Sequence, residues 1–134
     1  MSTFLLEIVT PERKVYAQDV DMVIVKGLEG EIGIMPNHIP LVTPLQVAPI
    51  RIKKAGVETV IAVNAGFVEV RKDKVVVLAE SAEFPADIDL ERAQAAKQRA
   101  QQRLSGKGKD TDVRRAELSL QRAINRLEVK QSFK

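Results

Sequence analysis

Cysteine and tryptophan are both missing from the 134 residues, and aromatic side chains make up only 4%. Without cysteine there are no disulfides, no thiolate metal sites and no cysteine nucleophile, a composition that fits a reducing compartment. With so few aromatics, any core must be aliphatic, and a hydrophobic content of 45% is enough to build one. Long apolar runs are also lacking. A stretch such as "VVVLA" at 75–79 falls far short of the roughly 18–20 residues that cross a bilayer. The opening "MSTFLLEIVTPER" has no basic stretch leading into an apolar segment, so it does not read as a secretory signal. Membrane association is therefore expected only through a partner. The length suits one domain, or one small domain with an appendage.

Charge is unevenly distributed. Residues 1–87 hold 9 Lys+Arg against 12 Asp+Glu, whereas residues 88–134 hold 12 against 6, so the segments carry −3 and +6. Such asymmetry suggests two units, the second suited to an anion or an acidic surface.

The hydrophobic periodicity divides at the same place. Up to about residue 84, short Val-, Ile- and Phe-rich runs alternate with "TPER", "GLEG", "MPNH", "KKAG", "NAG" and "RKDK", which carry turn chemistry. Phe67 and Glu69 share one face and Val68 and Val70 the other, while Val20, Met22 and Ile24 line up similarly. Turns this frequent predict an antiparallel sandwich or flattened barrel. Pro36, Pro40, Pro44 and Pro49 mark edge strand or extended loop, because proline donates nothing to a ladder.

From residue 88 the period becomes helical. Residues 88–104 and about 111–130 favour helix, separated by "SGKGKDT", with Gly106 as a stop and Asp110 or Thr111 as the next cap. The seams of an antiparallel hairpin are predicted at Leu90, Ala93, Ala100 and Leu104, and at Val113, Ala116, Leu120, Ala123 and Leu127. The expected fold is α+β, with a β-sandwich over residues 1–86 followed by a two-helix hairpin over residues 87–134.

Arginines recur along both helices. Arg92, Arg99 and Arg103 have the same 7- and 4-residue spacing as Arg115, Arg122 and Arg126, so each trio forms a stripe within about 20°. With only Asp89 and Glu91 as acids in the first helix, the stripes are expected to remain unneutralised and to line the groove between the helices. A solvated face with arginine stems covering the seam is the plainer reading. A phosphate-bearing ligand is the sharper one, since the guanidinium fork suits phosphate. Asp89 serves as a helix cap in the first case and accepts a hydrogen bond from a ribose or base in the second. An alanine in place of a leucine forgoes about three buried CH₂ groups, at ~0.8 kcal/mol each. The hairpin is therefore a weak latch. A ligand at ten times its dissociation constant adds about 1.4 kcal/mol to the form it binds.

Two separated motifs, "GEIGIMPNHIPLV" at 30–42 and "NAGFVEV" at 64–70, followed by "IDLERA" at 88–93, resemble the epsilon subunits of bacterial F-type ATP synthases, especially those of bacilli. Ala65 departs from the pattern, which usually has a second glycine there. The resemblance covers the whole chain and implies a ten-stranded sandwich. It also implies a non-catalytic place in the rotor stalk, between the gamma subunit and the ring of c subunits, at the cytoplasmic face of the membrane. The helices would restrain ATP hydrolysis when extended towards the beta subunit and be held down by ATP, a regulatory ligand and not a required cofactor. "IDLERA" is similar to the family's ATP-binding motif, which implies Ile88, Asp89, Arg92 and Ala93 as ATP contacts, with Glu83, Arg99, Arg122 and Arg126 around them. Glu31 corresponds to a position facing the c ring and His38 to one near gamma. No catalytic constellation and no metal-ligand cluster emerges, and Gly27, Gly30 and Gly33 form no phosphate loop because no "GK[ST]" follows. The rival reading is a basic helical module that binds nucleic acid. Its helices lack stacking aromatics until Phe133, and its N-terminal part is acidic.

Overall fold

The computed structural model describes residues 2–106 and 112–132. Strands β1 (Phe4–Val9) and β2 (Lys14–Val20) form a hairpin whose turn is closed by Thr10 N–H donating to the Arg13 carbonyl at 2.9 Å. After them come β3 (Met22–Gly27), β4 (Gly30–Ile34), β5 (Leu41–Leu45), β6 (Ala48–Lys54), β7 (Val57–Val70) and β8 (Lys74–Glu83). The hydrogen-bonded order is β2-β1-β8-β7-β5-β3-β4, with β6 joining β3 to β7 and so closing a ring of β3, β5, β7 and β6, while β2 and β4 lie at the ends. The antiparallel expectation holds at every pair except one. β1 runs parallel to β8, with Leu5 opposite Lys74 and Val9 opposite Leu78, an arrangement that the long intervening chain permits.

The described residues form eight strands where the resemblance implied ten, because β7 runs on through its bend and β8 pairs with it on both sides of that bend. β7 is 14 residues long and pairs through residues 57–63 with β6 and through residues 66–70 with β5. The change of partner occurs at Ala65 (φ 57°) and Gly66 (φ 141°). A Cβ built on Gly66 would stand 1.9 Å from the Leu78 carbonyl oxygen, so only glycine fits.

The aliphatic core fills the space between the layers. Leu6, Ile34, Ile52, Ile61 and Val68 are fully buried. Val68 and Val70 point inward and Phe67 outward, as the alternation predicts. The face drawn through Val20, Met22 and Ile24 is broken instead. A bend at Asp21, whose N–H donates to the Lys53 carbonyl at 2.9 Å, puts Val23 and Val25 in the core and leaves Met22 and Ile24 half-buried. Pro36 and Pro40 lie in the β4–β5 loop, and Pro44 and Pro49 in strands. β5 meets β3 only at Leu45, and Pro49 precedes the part of β6 that pairs with β3, so neither proline interrupts a two-sided ladder.

A 3-10 turn at Pro85–Asp87 leads to α1 (Leu90–Gly106), which is followed by α2 (Val113–Ser132). Asp89 caps α1, its Oδ1 accepting the Arg92 N–H at 3.1 Å. The expected caps Asp110 and Thr111 lie outside the described residues, and the cap of α2 is Asp112, whose Oδ1 accepts the Arg115 N–H at 3.0 Å. Ala93, Ala100, Ala116, Ala123 and Leu127 are buried as the seams predict, whereas Leu90 and Val113 are exposed. Asn125 and Val129 are buried as well, because α2 turns a second face to β6 and β7.

Candidate anion site under the helical hairpin

α2 packs on β7 and β6, beside the C-terminal end of β8. Arg122 and Arg126, four residues apart, share a helix face, and β8 presents Glu80 and Glu83 to them. Arg126 donates from Nε to Glu83 Oε1 at 2.5 Å, and Arg122 from Nη2 to Glu80 Oε2 at 3.3 Å. The expectation of an unneutralised stripe is therefore corrected for these two arginines. The helices do hold few acids, but the sandwich supplies the counter-charges from 42 and 43 residues away.

An apolar patch adjoins the pairs. Ile88 and Ala93 pack with Leu127 and Val129 of α2 and with Ala62 of β7. Lys130 Nζ ties α2 to the 3-10 turn through the Pro85 carbonyl at 3.0 Å. Asp89 sits at the start of α1 as its cap, next to Ile88, and Arg92 lies in the first turn. Arg92 and Arg99 are exposed and, among the described residues, form no ion pair. The fold thus brings Glu83, Arg126, Ile88 and Ala93 to one corner, with Arg122 one turn along α2 and the Arg92 and Arg99 side chains open to solvent.

The contact beneath α2 is partly polar. Asn125 Nδ2 donates to the Val63 carbonyl at 3.0 Å, and Asn64 Nδ2 to Ser81 Oγ at 2.6 Å. Asn64 Oδ1, Asn125 Oδ1 and Arg122 Nε are buried with no partner among the described residues. Glu80, Asn64 and Asn125 were not among the expected site residues. Asn125 carried a signal, being an amide on the face of α2 that also bears Leu118 and Val129. Glu80 carried none, since nothing in a strand foretells which helix will cross it.

Glu31 on β4 pairs with Arg51 at 3.0 Å and lines an open cleft of about 980 Å³, whose opposite wall includes Leu118 and Ile124 of α2. His38 donates from Nδ1 to the Ile39 carbonyl at 2.8 Å. Ile39 beside it is 75% exposed, and Val42, Phe67 and Leu78 form an uncovered apolar stripe across β5, β7 and β8.

Two family models match end to end. The beta-sandwich domain of the ATP synthase Delta/Epsilon chain covers residues 3–85, and the long alpha-helix domain of the same chain covers residues 86–131. The chain belongs to the ATP synthase delta/epsilon family. It is 61% identical to the ATP synthase epsilon chain of Brevibacillus brevis over 132 residues, which is 98% of this chain and 100% of that one. It is 54% identical to that of Bacillus subtilis, over 96% of this chain and 98% of that one. The resemblance to the bacillus-type epsilon subunits is borne out. A chain in the Euglena gracilis mitochondrial ATP synthase structure (OSCP/F1/c-ring) shares the fold, with a TM-score of 0.81, 17% identity, and coverage of 98% of this chain and 81% of that one. Among the described residues, no helix is long and apolar enough to cross a membrane.

Proposed function

We propose that this chain is a non-catalytic rotor subunit of a proton-translocating ATP synthase. It joins gamma to the c ring at the cytoplasmic face, and its hairpin is held down by ATP and restrains hydrolysis when extended towards beta. Family membership supports the place in the assembly. The uncovered stripe of Val42, Phe67 and Leu78, with Ile39 near His38, supplies the apolar surface that a permanent partner needs.

One observation carries the switching part. The hairpin rests on the sandwich through a small cluster of Ile88, Ala93, Leu127 and Val129 against Ala62, one buried amide and two carboxylate–arginine pairs, with Arg92 and Arg99 left open to an anion. A contact this thin is separable, and charge decides its state. ATP, more than ADP, should compact the hairpin. Calorimetry with ATP and amide exchange on the wild type and Arg92→Ala test this. Weaker binding and faster exchange in the variant are expected, and equal affinity would remove Arg92 from the site.

A further inference from the structure

The two arginines of α2 that reach the sandwich are held in different ways. Arg126 uses Nε, the donor nearest its stem, on Glu83 at 2.5 Å, and both side chains are about 70% covered. Arg122 offers only the outer Nη2, at 3.3 Å, to a Glu80 that is 65% exposed. Its own Nε is buried with no partner among the described residues. Of the two guanidinium groups, that of Arg126 is committed to docking the helix, while that of Arg122 is loosely held with an unused donor.

We propose that Glu80 is an internal competitor for the anion, occupying Arg122 when no phosphate is bound and giving it up when a phosphate arrives. The proposal rests on the ATP reading above and adds a regulator to that site. A carboxylate at 3.3 Å supplies the charge that one guanidinium edge seeks, so a phosphate must displace it and then tolerate it nearby. Glu80 therefore sets the affinity, weakening a site that would otherwise be filled at lower nucleotide concentration. The Arg126–Glu83 pair differs in that it also docks α2 on β8, so breaking it loosens the helix as well as changing the site. An exposed ion pair of this kind corresponds to about a two- to five-fold change in a dissociation constant.

The experiment is calorimetric titration of ATP into the full-length wild type, Glu80→Gln, Arg122→Ala and the double variant. Glu80→Gln should tighten binding about two- to five-fold on the wild-type background and leave Arg122→Ala unchanged. A tightening of equal size on both backgrounds would show only a general charge effect and overturn the proposal. No tightening, with the wild type binding ATP, would overturn it alone. Binding in neither wild type nor Glu80→Gln would overturn both the proposal and the ATP reading. Binding that appears only once Glu80 is replaced would support it. Glu83→Gln distinguishes the roles of the two pairs, since it should quicken amide exchange along α2 and not tighten ATP.

Discussion

Ala65 occupies the left-handed region, with φ at 57°, at the bend where β7 changes partner. A non-glycine residue there costs about 1–2 kcal/mol. Glycine removes that strain but gives back ~0.4–1 kcal/mol in unfolded-state freedom. Ala65→Gly should therefore raise stability by about 0.5–1 kcal/mol and the melting temperature by a few degrees. Gly66→Ala should unfold the sandwich, because its methyl would stand 1.9 Å from a carbonyl oxygen. Glu7 is the other residue with a separable consequence. It is buried between Lys14 and Lys74, and their hydrogen bonds hold its pKa at about 2. A carboxylate whose pKa is lowered by folding stabilises the protein above its unfolded value. That contribution is lost as pH falls from about 4.5 towards 2. Chemical denaturation of the wild type and Glu7→Gln between pH 7 and 2 should show this. The variant should be less stable at neutral pH, and its stability should decline less on acidification.

At the scale of elements, the buried alanines come in pairs seven residues apart, Ala93 with Ala100 and Ala116 with Ala123. Small residues at that repeat let the two helices approach closely. A larger side chain would push the helices apart. Ala100→Leu should weaken the hairpin by about 1–3 kcal/mol, read as faster amide exchange in α1 and α2 with the β-strands unchanged. This seam was legible because helical periodicity is local: Ala93, Ala100, Ala116, Ala123 and Leu127 all follow from spacing. Asn125 and Val129 were not, since their burial depends on which surface of the sandwich α2 meets. The pairs Arg122–Glu80 and Arg126–Glu83 escaped for the same reason, as each joins residues over 40 positions apart. The strand boundaries failed differently. The partner change at Ala65–Gly66 is a turn-like backbone inside one continuous strand, so a pattern of turn residues counts two strands where the chain makes one.

For the whole molecule, the two hydrophobic clusters are unequal and the dependence between them runs one way. The larger lies entirely within residues 4–84. The smaller joins Ile88, Ala93, Leu127 and Val129 to Ala62, and so exists only while hairpin and sandwich touch. Residues 1–86 alone should therefore keep the β fold and unfold cooperatively. Helices of 17 and 20 residues with an alanine seam are marginal without tertiary support, so residues 87–134 alone should be largely coil by circular dichroism. The same asymmetry bears on how the hairpin can move. If it leaves the sandwich as proposed, it would lose the surface that keeps it helical, so an extended form would have to find another surface at once. Release and capture would then be one exchange, with the partner taking over the faces of Leu127 and Val129 as β7 gives them up. A stably helical isolated fragment 87–134 would remove that constraint and allow the hairpin to extend freely in solution.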